Sequence, residues 1–213
     1  MKVGKFIRKY NHIWTLLYIV FYMPWFMWLE KTVTTDFHLV SMPIDYKIPF
    51  CEYFIIPYFM WFLFVPAIVG YEFFYSKKEY YQCCAYLFSG MTIFLIICTI
   101  WHNGLDLRQD IISYNNNLCA KLVKMLYKTD TSTNVFPSLH VFNTLGCLVA
   151  LYRSKGVKDK AWIKVIATVI GILIILSTMF LKQHSVWDVI GAFALAAILY
   201  PIVYVIPWGR KKQ

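Results

Sequence analysis

Charge is scarce in this chain: 15% of its 213 residues are Asp, Glu, Lys or Arg, against 60% apolar and 19% aromatic. That is too little to coat a soluble globule of this size, so composition argues against a soluble domain. Acidic residues are scarcer still, 11 against 21 Lys and Arg, a formal charge of +10. The basic residues form no long block but are spread among short loops, so no nucleic-acid partner is expected. The six cysteines include no CxxC pair, and Cys83, Cys84, Cys98 and Cys147 lie in apolar runs where free Cys acts as a small hydrophobe. Only Cys51 and Cys119 lie in loops on one side, and the sequence leaves open whether they pair. There is no internal repeat and no low-complexity linker, so residues 1–213 are expected to form one domain.

What is present is a set of long apolar runs. Ile13–Leu29, Tyr53–Tyr75, Tyr80–Trp101, Val165–Leu181 and Val186–Trp208 contain no interior Lys or Arg. Each is near the length that a hydrocarbon core of roughly 30 Å requires. The sixth run, Val135–Tyr152, is diluted by Ser138, His140, Asn143 and Thr144, and is counted as a span because its neighbours must connect on the sides their charges demand. The expectation is an all-α bundle of six membrane spans. Lys2, Lys5, Arg8 and Lys9 precede the first run, but no small-residue cleavage site follows it, so it is expected to remain as a helix. With six spans, 14 of the 21 basic residues fall on the side of the N-terminal segment, the Lys77-Lys78 turn, the 153–164 turn and the tail. That side is expected to be cytoplasmic, with both termini inside, in the plasma (inner) membrane.

The loops on the other side, Glu30–Glu52 and His102–Asn134, are long, and long loops in a compact chain carry function or disorder. The second holds an amphipathic helix candidate, with Leu118, Leu122, Met125 and Leu126 on one face and Lys121, Lys124 and Lys128 on the other. Packing on the bundle and contact with lipid are both open to it.

Three clusters meet at this outer face if the spans bundle: Asn103–Arg108, Phe136–His140, and Lys182–His184 with Asp188. On a helix, a spacing of four puts His184 and Asp188 on one face, the carboxylate on one imidazole nitrogen and the other nitrogen free. A carboxylate at a span mouth is costly unless paired, which marks the pair as functional. Pro137 suits the first turn of a helix, so Ser138 and His140 are expected at a helix N-terminus, where free amides and the positive dipole end attract an anion. Arg108 and Lys182 add positive charge, which points to a phosphate. His184 would attack phosphorus and His140 protonate the departing oxygen. Arg108 is alternatively a partner of Asp106 or Asp110, and Lys182 alternatively snorkels to the interface. Asn103, Asn143 and Thr144 read as structural.

Pro137-Ser138-Leu139-His140 and His184-x-x-x-Asp188, with Arg108 in the preceding outer loop, resemble signatures of the type 2 phosphatidic acid phosphatase superfamily. These are six-span lipid phosphatases and phosphotransferases that share an active-site plan with vanadium haloperoxidases. The resemblance implies that His184 is the nucleophile that becomes phosphorylated, Asp188 its orienting carboxylate and His140 the general acid. It also implies that Ser138 and Arg108 bind phosphate, with no metal and no cofactor. Trp101 stands where the family has a lysine, Gln109 where it has a proline, Leu139 where it usually has glycine, and Ser177-Thr178 where it has Ser-Arg. Lys182 is the substitute cation. Pro-Ser-Leu-His and the absent arginine are similar to the branch of inositol phosphorylceramide synthases, which leaves hydrolysis and transfer to a lipid alcohol both open. The expected activity is removal of phosphate from a lipid at the outer face, with lipid phosphate and membrane lipids as partners and the oligomeric state unspecified. The rivals are a metal site of His140, His184 and Asp188, and a non-catalytic scaffold or transporter.

Overall fold

The computed structural model describes residues 9–108 and 117–206. Outside them lie the basic N-terminal residues through Arg8, Gln109 and Asp110, the end of the last apolar run and the basic tail. The described chain is mainly helical, with almost no sheet. A 3-10 segment, Asn11–Leu17, leads into α1 (Tyr18–Thr32), and another, Glu52–Phe54, into α2 (Ile55–Tyr75). Then follow α3 (Lys77–Ile100), α4 (Leu118–Thr129), α5 (Leu139–Arg153), α6 (Ala161–Phe180) and α7 (Val186–Tyr200), the last continued by a π turn at Pro201–Val205. The sheet is a token one, β1 (His38–Leu39) running parallel to β2 (Asn103–Gly104).

Among the described residues, five helical stretches are long and apolar enough to cross a membrane: Asn11–Thr32, Glu52–Tyr75, Lys77–Ile100, Ala161–Phe180 and Val186–Val205. Less than half of each is buried in the protein, and side chains such as Phe21, Leu63 and Ile100 point outward. Apolar residues turned outward are what lipid-facing helices need, and the chain is an integral membrane protein of the all-α class.

The sixth helix, α5, differs from the other five. Its 15 residues give about 22 Å of rise, short of a hydrocarbon core. It begins at Leu139 rather than Val135, because Ser138 caps it. It packs against α2, α3, α6 and α7, which shields its polar residues from lipid. Asn143 and Thr144 are buried within it, and Thr144 Oγ1 donates back to the His140 carbonyl at 2.6 Å. The main core forms around this helix: Phe142 stacks on Tyr86, and the Tyr86 hydroxyl donates to the Ala196 carbonyl at 2.7 Å. α3 and α5 come together at Gly90, where an added Cβ would stand 2.1 Å from the Phe142 ring. By contrast α1 lies at the margin and leans on α3, with Tyr18 stacked on Phe88 and the Trp25 indole N–H donating to Thr99 Oγ1 at 3.0 Å.

The amphipathic helix is present as α4, but its buried face is not the expected one. Ala120, Val123 and Leu126 are buried, and Val123 and Leu126, with Leu122 beside them, pack on Ile55, Tyr58 and Leu181, whereas Leu118 is 72% and Met125 53% exposed. The helix thus has three stripes: one on the bundle, one apolar and uncovered, one of lysines. Cys51 and Cys119 are free thiols.

Candidate active site

Two capping motifs leave His184 between them. α6 ends in a Schellman turn: Gln183 N donates to Thr178 O at 2.9 Å and Lys182 N to Met179 O at 3.0 Å. Lys182 takes the left-handed position, φ 54°, where glycine is usual. Three residues on, Ser185 caps α7, its hydroxyl accepting from Trp187 N at 3.0 Å. Asp188 completes the capping box by accepting from Ser185 N at 2.8 Å. The same oxygen, Oδ2, lies 3.3 Å from His184 Nδ1. The pair therefore meets as the spacing predicts but for a different reason: His184 precedes the helix, and the carboxylate reaches it by folding back over the cap. His184 is 8% exposed, and its side-chain hydrogen bond among the described residues is the one from Nδ1 to Asp188.

His140 stands opposite, at the second position of α5, with ring centroids 5.7 Å from His184. Pro137 is outside the first turn; Ser138 is the N-cap, its fully buried hydroxyl accepting from Val141 N at 3.4 Å. Ser138 N donates to Asp188 O at 3.2 Å, which joins the two helix starts. Asn103 holds the approach, its Oδ1 accepting from Val135 N at 2.9 Å and Phe136 N at 2.8 Å. The His140 ring is packed between Tyr58 and Trp61, each with its ring centroid 4.6 Å away, and the Tyr58 hydroxyl donates to Asp130 Oδ2 at 3.0 Å.

Arg108 reaches the site but not by pairing with a carboxylate. Its guanidinium donates to the carbonyls of Tyr127 (3.3 Å), Asp130 (2.7 Å) and Thr131 (2.7 Å) and to Gln183 Oε1, and lies 4.6 Å from the centroid of the Tyr127 ring. Carbonyls left over at the C-terminus of α4 attract a cation. Burial pushes the guanidinium below its ordinary range, with Asp130 opposing, and raises the Tyr127 hydroxyl to about 12.

Lys182 is placed elsewhere: its ammonium donates to the carbonyls of Asp45 and Ile48, each at 2.5 Å, which commits two of its three donors. It is 7% exposed and turned into the protein rather than toward the interface, with one donor remaining; burial lowers its pKa, with Asp45 opposing. The 42–48 loop is in turn pinned to the His184 turn by Asp45, which no motif in the sequence singled out. This buried carboxylate accepts from Ser185 Oγ at 2.6 Å, Val186 N at 2.8 Å and Met42 N at 2.6 Å. It places a negative charge at the amino end of α7, where the helix dipole favours one.

Four nitrogens around the histidines are sealed from solvent and lack an acceptor among the described residues: His140 Nε2, Trp61 Nε1, Arg108 Nε and Gln183 Nε2. Buried donors left without partners each cost about 1–3 kcal/mol, so a cluster of them implies a ligand rich in acceptors. Among the described residues, no three His, Cys, Asp or Glu side chains gather as a metal-binding group.

The PAP2 superfamily matches residues 91–212, more than half of the chain and a range that includes all of the sequence-selected site residues. Comparison with curated proteins and with solved structures gives no match.

Proposed function

This chain belongs to the PAP2 superfamily, which acts on lipid phosphates as phosphatases or phosphotransferases, and from that premise we propose an integral-membrane lipid phosphatase working through a phosphohistidine. The observation that carries the reading is the set of buried nitrogens without partners on His140, Trp61, Arg108 and Gln183, beside a histidine already oriented by a carboxylate. A tetrahedral phosphate offers the acceptors this cluster lacks.

In the first step, His184 Nε2 attacks phosphorus, a nitrogen–phosphorus bond forms, and the bond from phosphorus to the lipid oxygen breaks. His140, protonated, gives its proton to that oxygen. Asp188 holds the Nδ1 proton and stabilises the charge that develops on the ring. In the second step, water attacks phosphorus, His140 takes its proton, and phosphate leaves His184. Arg108 Nε, Gln183 Nε2 and Trp61 Nε1 bind the non-bridging oxygens, together with the first-turn amides of α5, which Ser138 shapes by capping the helix. Gln183 and Trp61 replace the cations that Trp101 and Thr178 do not supply, and Lys182 fixes the loop. No step calls for a metal ion.

The lipid tail stays in the bilayer beside the uncovered apolar stripe of α4, and the site faces the outside, as the basic loops at the opposite end support. Transfer of a phospho-headgroup to a lipid alcohol keeps the headgroup on the phosphorus that His184 carries and puts the alcohol in place of water in the second step, and the neutral side chains at 101 and 178 favour keeping it as the second reading. A panel of lipid phosphates, with free phosphate and transferred headgroup measured separately and with EDTA present, tests both. Metal-independent release of free phosphate is expected. Headgroup transfer without release selects the second reading, and turnover that EDTA abolishes and a divalent ion restores refutes the two-histidine scheme.

A further inference from the structure

At the end of the bundle away from the histidines lies a cavity of about 1210 Å³. It is walled by the α2–α3 corner, the first turns of α3, the end of α5 with Lys155, and the π turn that closes α7. Three cations border it: Lys78, Arg153 and Lys155. Among the described residues, none of the three lies in a salt bridge with a carboxylate, since the pair of His184 and Asp188 is the one such contact there. The lining carboxylate, Glu79, accepts from Ser154 Oγ at 2.8 Å. Arg153 is fixed in place: Nη1 donates to the Tyr200 hydroxyl at 2.9 Å, and the guanidinium sits 5.7 Å from the Tyr200 ring centroid and 5.1 Å from that of Tyr204. That leaves an oriented fork with free N–H groups, the geometry that grips phosphate oxygens in pairs.

Among the described residues, much of the remaining wall is apolar and open: Tyr75, Tyr81, Val205 and Ile206 are exposed beside the cations. A cluster of unpaired positive charge next to uncovered apolar surface fits an amphiphile rather than a free ion. The ligand is not the substrate of the histidines, because His140 and Arg153 stand at opposite ends of α5, thirteen residues and roughly 20 Å apart.

We propose that this groove is a second lipid site, which binds a phospholipid with a net negative headgroup: phosphate on Arg153, Lys78 and Lys155, acyl chains along the π turn.

The test uses the full chain, purified in detergent and offered phosphatidylglycerol, phosphatidylcholine or soluble glycerol phosphate, with bound lipid counted by native mass spectrometry. Phosphatidylglycerol should be retained over phosphatidylcholine, equally in His184→Ala, and glycerol phosphate should not displace it. Removing both exposed lysines, Lys78→Ala with Lys155→Ala, should lower the retention about 25-fold, at roughly fivefold per charge. These side chains make no contact that folding needs, and an unshifted melting temperature in lipid-free detergent checks this. Arg153→Gln supplies an independent loss. Equal retention of the two lipids, or full retention in the double variant, overturns the proposal. Displacement by glycerol phosphate shows a free-anion site, and loss in His184→Ala shows that the lipid was seated at the histidines; either result overturns it as well.

Discussion

Asp45 stands some 140 residues from the turn that it holds, and its removal separates positioning from chemistry. In Asp45→Ala the acceptors for Ser185 Oγ, Val186 N and Met42 N disappear together. Hydrogen bonds to a charged group contribute about 1.5–3 kcal/mol each, but bonds that share one carboxylate do not add independently. A loss of about 3–5 kcal/mol is therefore expected, read as a lower melting temperature. Asp45→Asn is nearly isosteric and keeps one oxygen acceptor, so about 1–2 kcal/mol is expected to be lost and the fold to persist. The effect on turnover should be larger than on binding. Ser185 follows His184 directly, and a misplacement of the attacking nitrogen by about 1 Å lowers the rate on the order of a hundredfold. Steady-state kinetics of purified Asp45→Asn on a lipid phosphate should thus show kcat falling on that scale, with KM nearly unchanged. Wild-type kcat in a folded Asp45→Ala protein would refute the reasoning, since the carboxylate would then be dispensable to the turn.

Lys182→Met should lower stability by about 1–3 kcal/mol, because two carbonyls lose their donor, and should lower activity by a similar factor on mono- and diphosphate lipids. A loss concentrated on diphosphates would instead place the ammonium on the substrate. Lys182→Gly should be less destabilised than Lys182→Met, since glycine relieves the left-handed backbone by about 1 kcal/mol; thermal unfolding in detergent orders the two. Gly90→Ala forces Phe142 out of its place between α3 and α5 and should cost about 1–3 kcal/mol with little direct effect on KM; a melting temperature equal to wild type would show that α3 and α5 separate freely.

The helices were legible because apolar runs of membrane length have few alternatives. α5 was the exception, since its polar residues dilute the signal, and only its position among α2, α3, α6 and α7 explains how they are shielded. The pairing of His184 with Asp188 followed from a spacing of four, although the same spacing serves a residue on a helix and a residue just ahead of a capped one. Arg108 was visible as a cation but not its setting: its partners are carbonyls of Tyr127, Asp130 and Thr131, and carbonyls leave no trace in a side-chain pattern. Asp45 and Gln183 were invisible for a related reason. Each is an ordinary polar residue in a loop: the role of Asp45 depends on the bundle bringing the 42–48 segment onto the turn after α6, and that of Gln183 on Arg108 reaching the same turn.

The central claim is that His184 carries the phosphoryl group. Its most direct test is rapid mixing of enzyme with a phosphate-labelled lipid, an alkaline quench that preserves phosphohistidine, and peptide mapping by mass spectrometry. The account predicts label on His184, lost in a folded His184→Ala protein together with turnover, and a slower formation of the labelled species in His140→Ala. Label on another residue, or sustained turnover by His184→Ala, would contradict it.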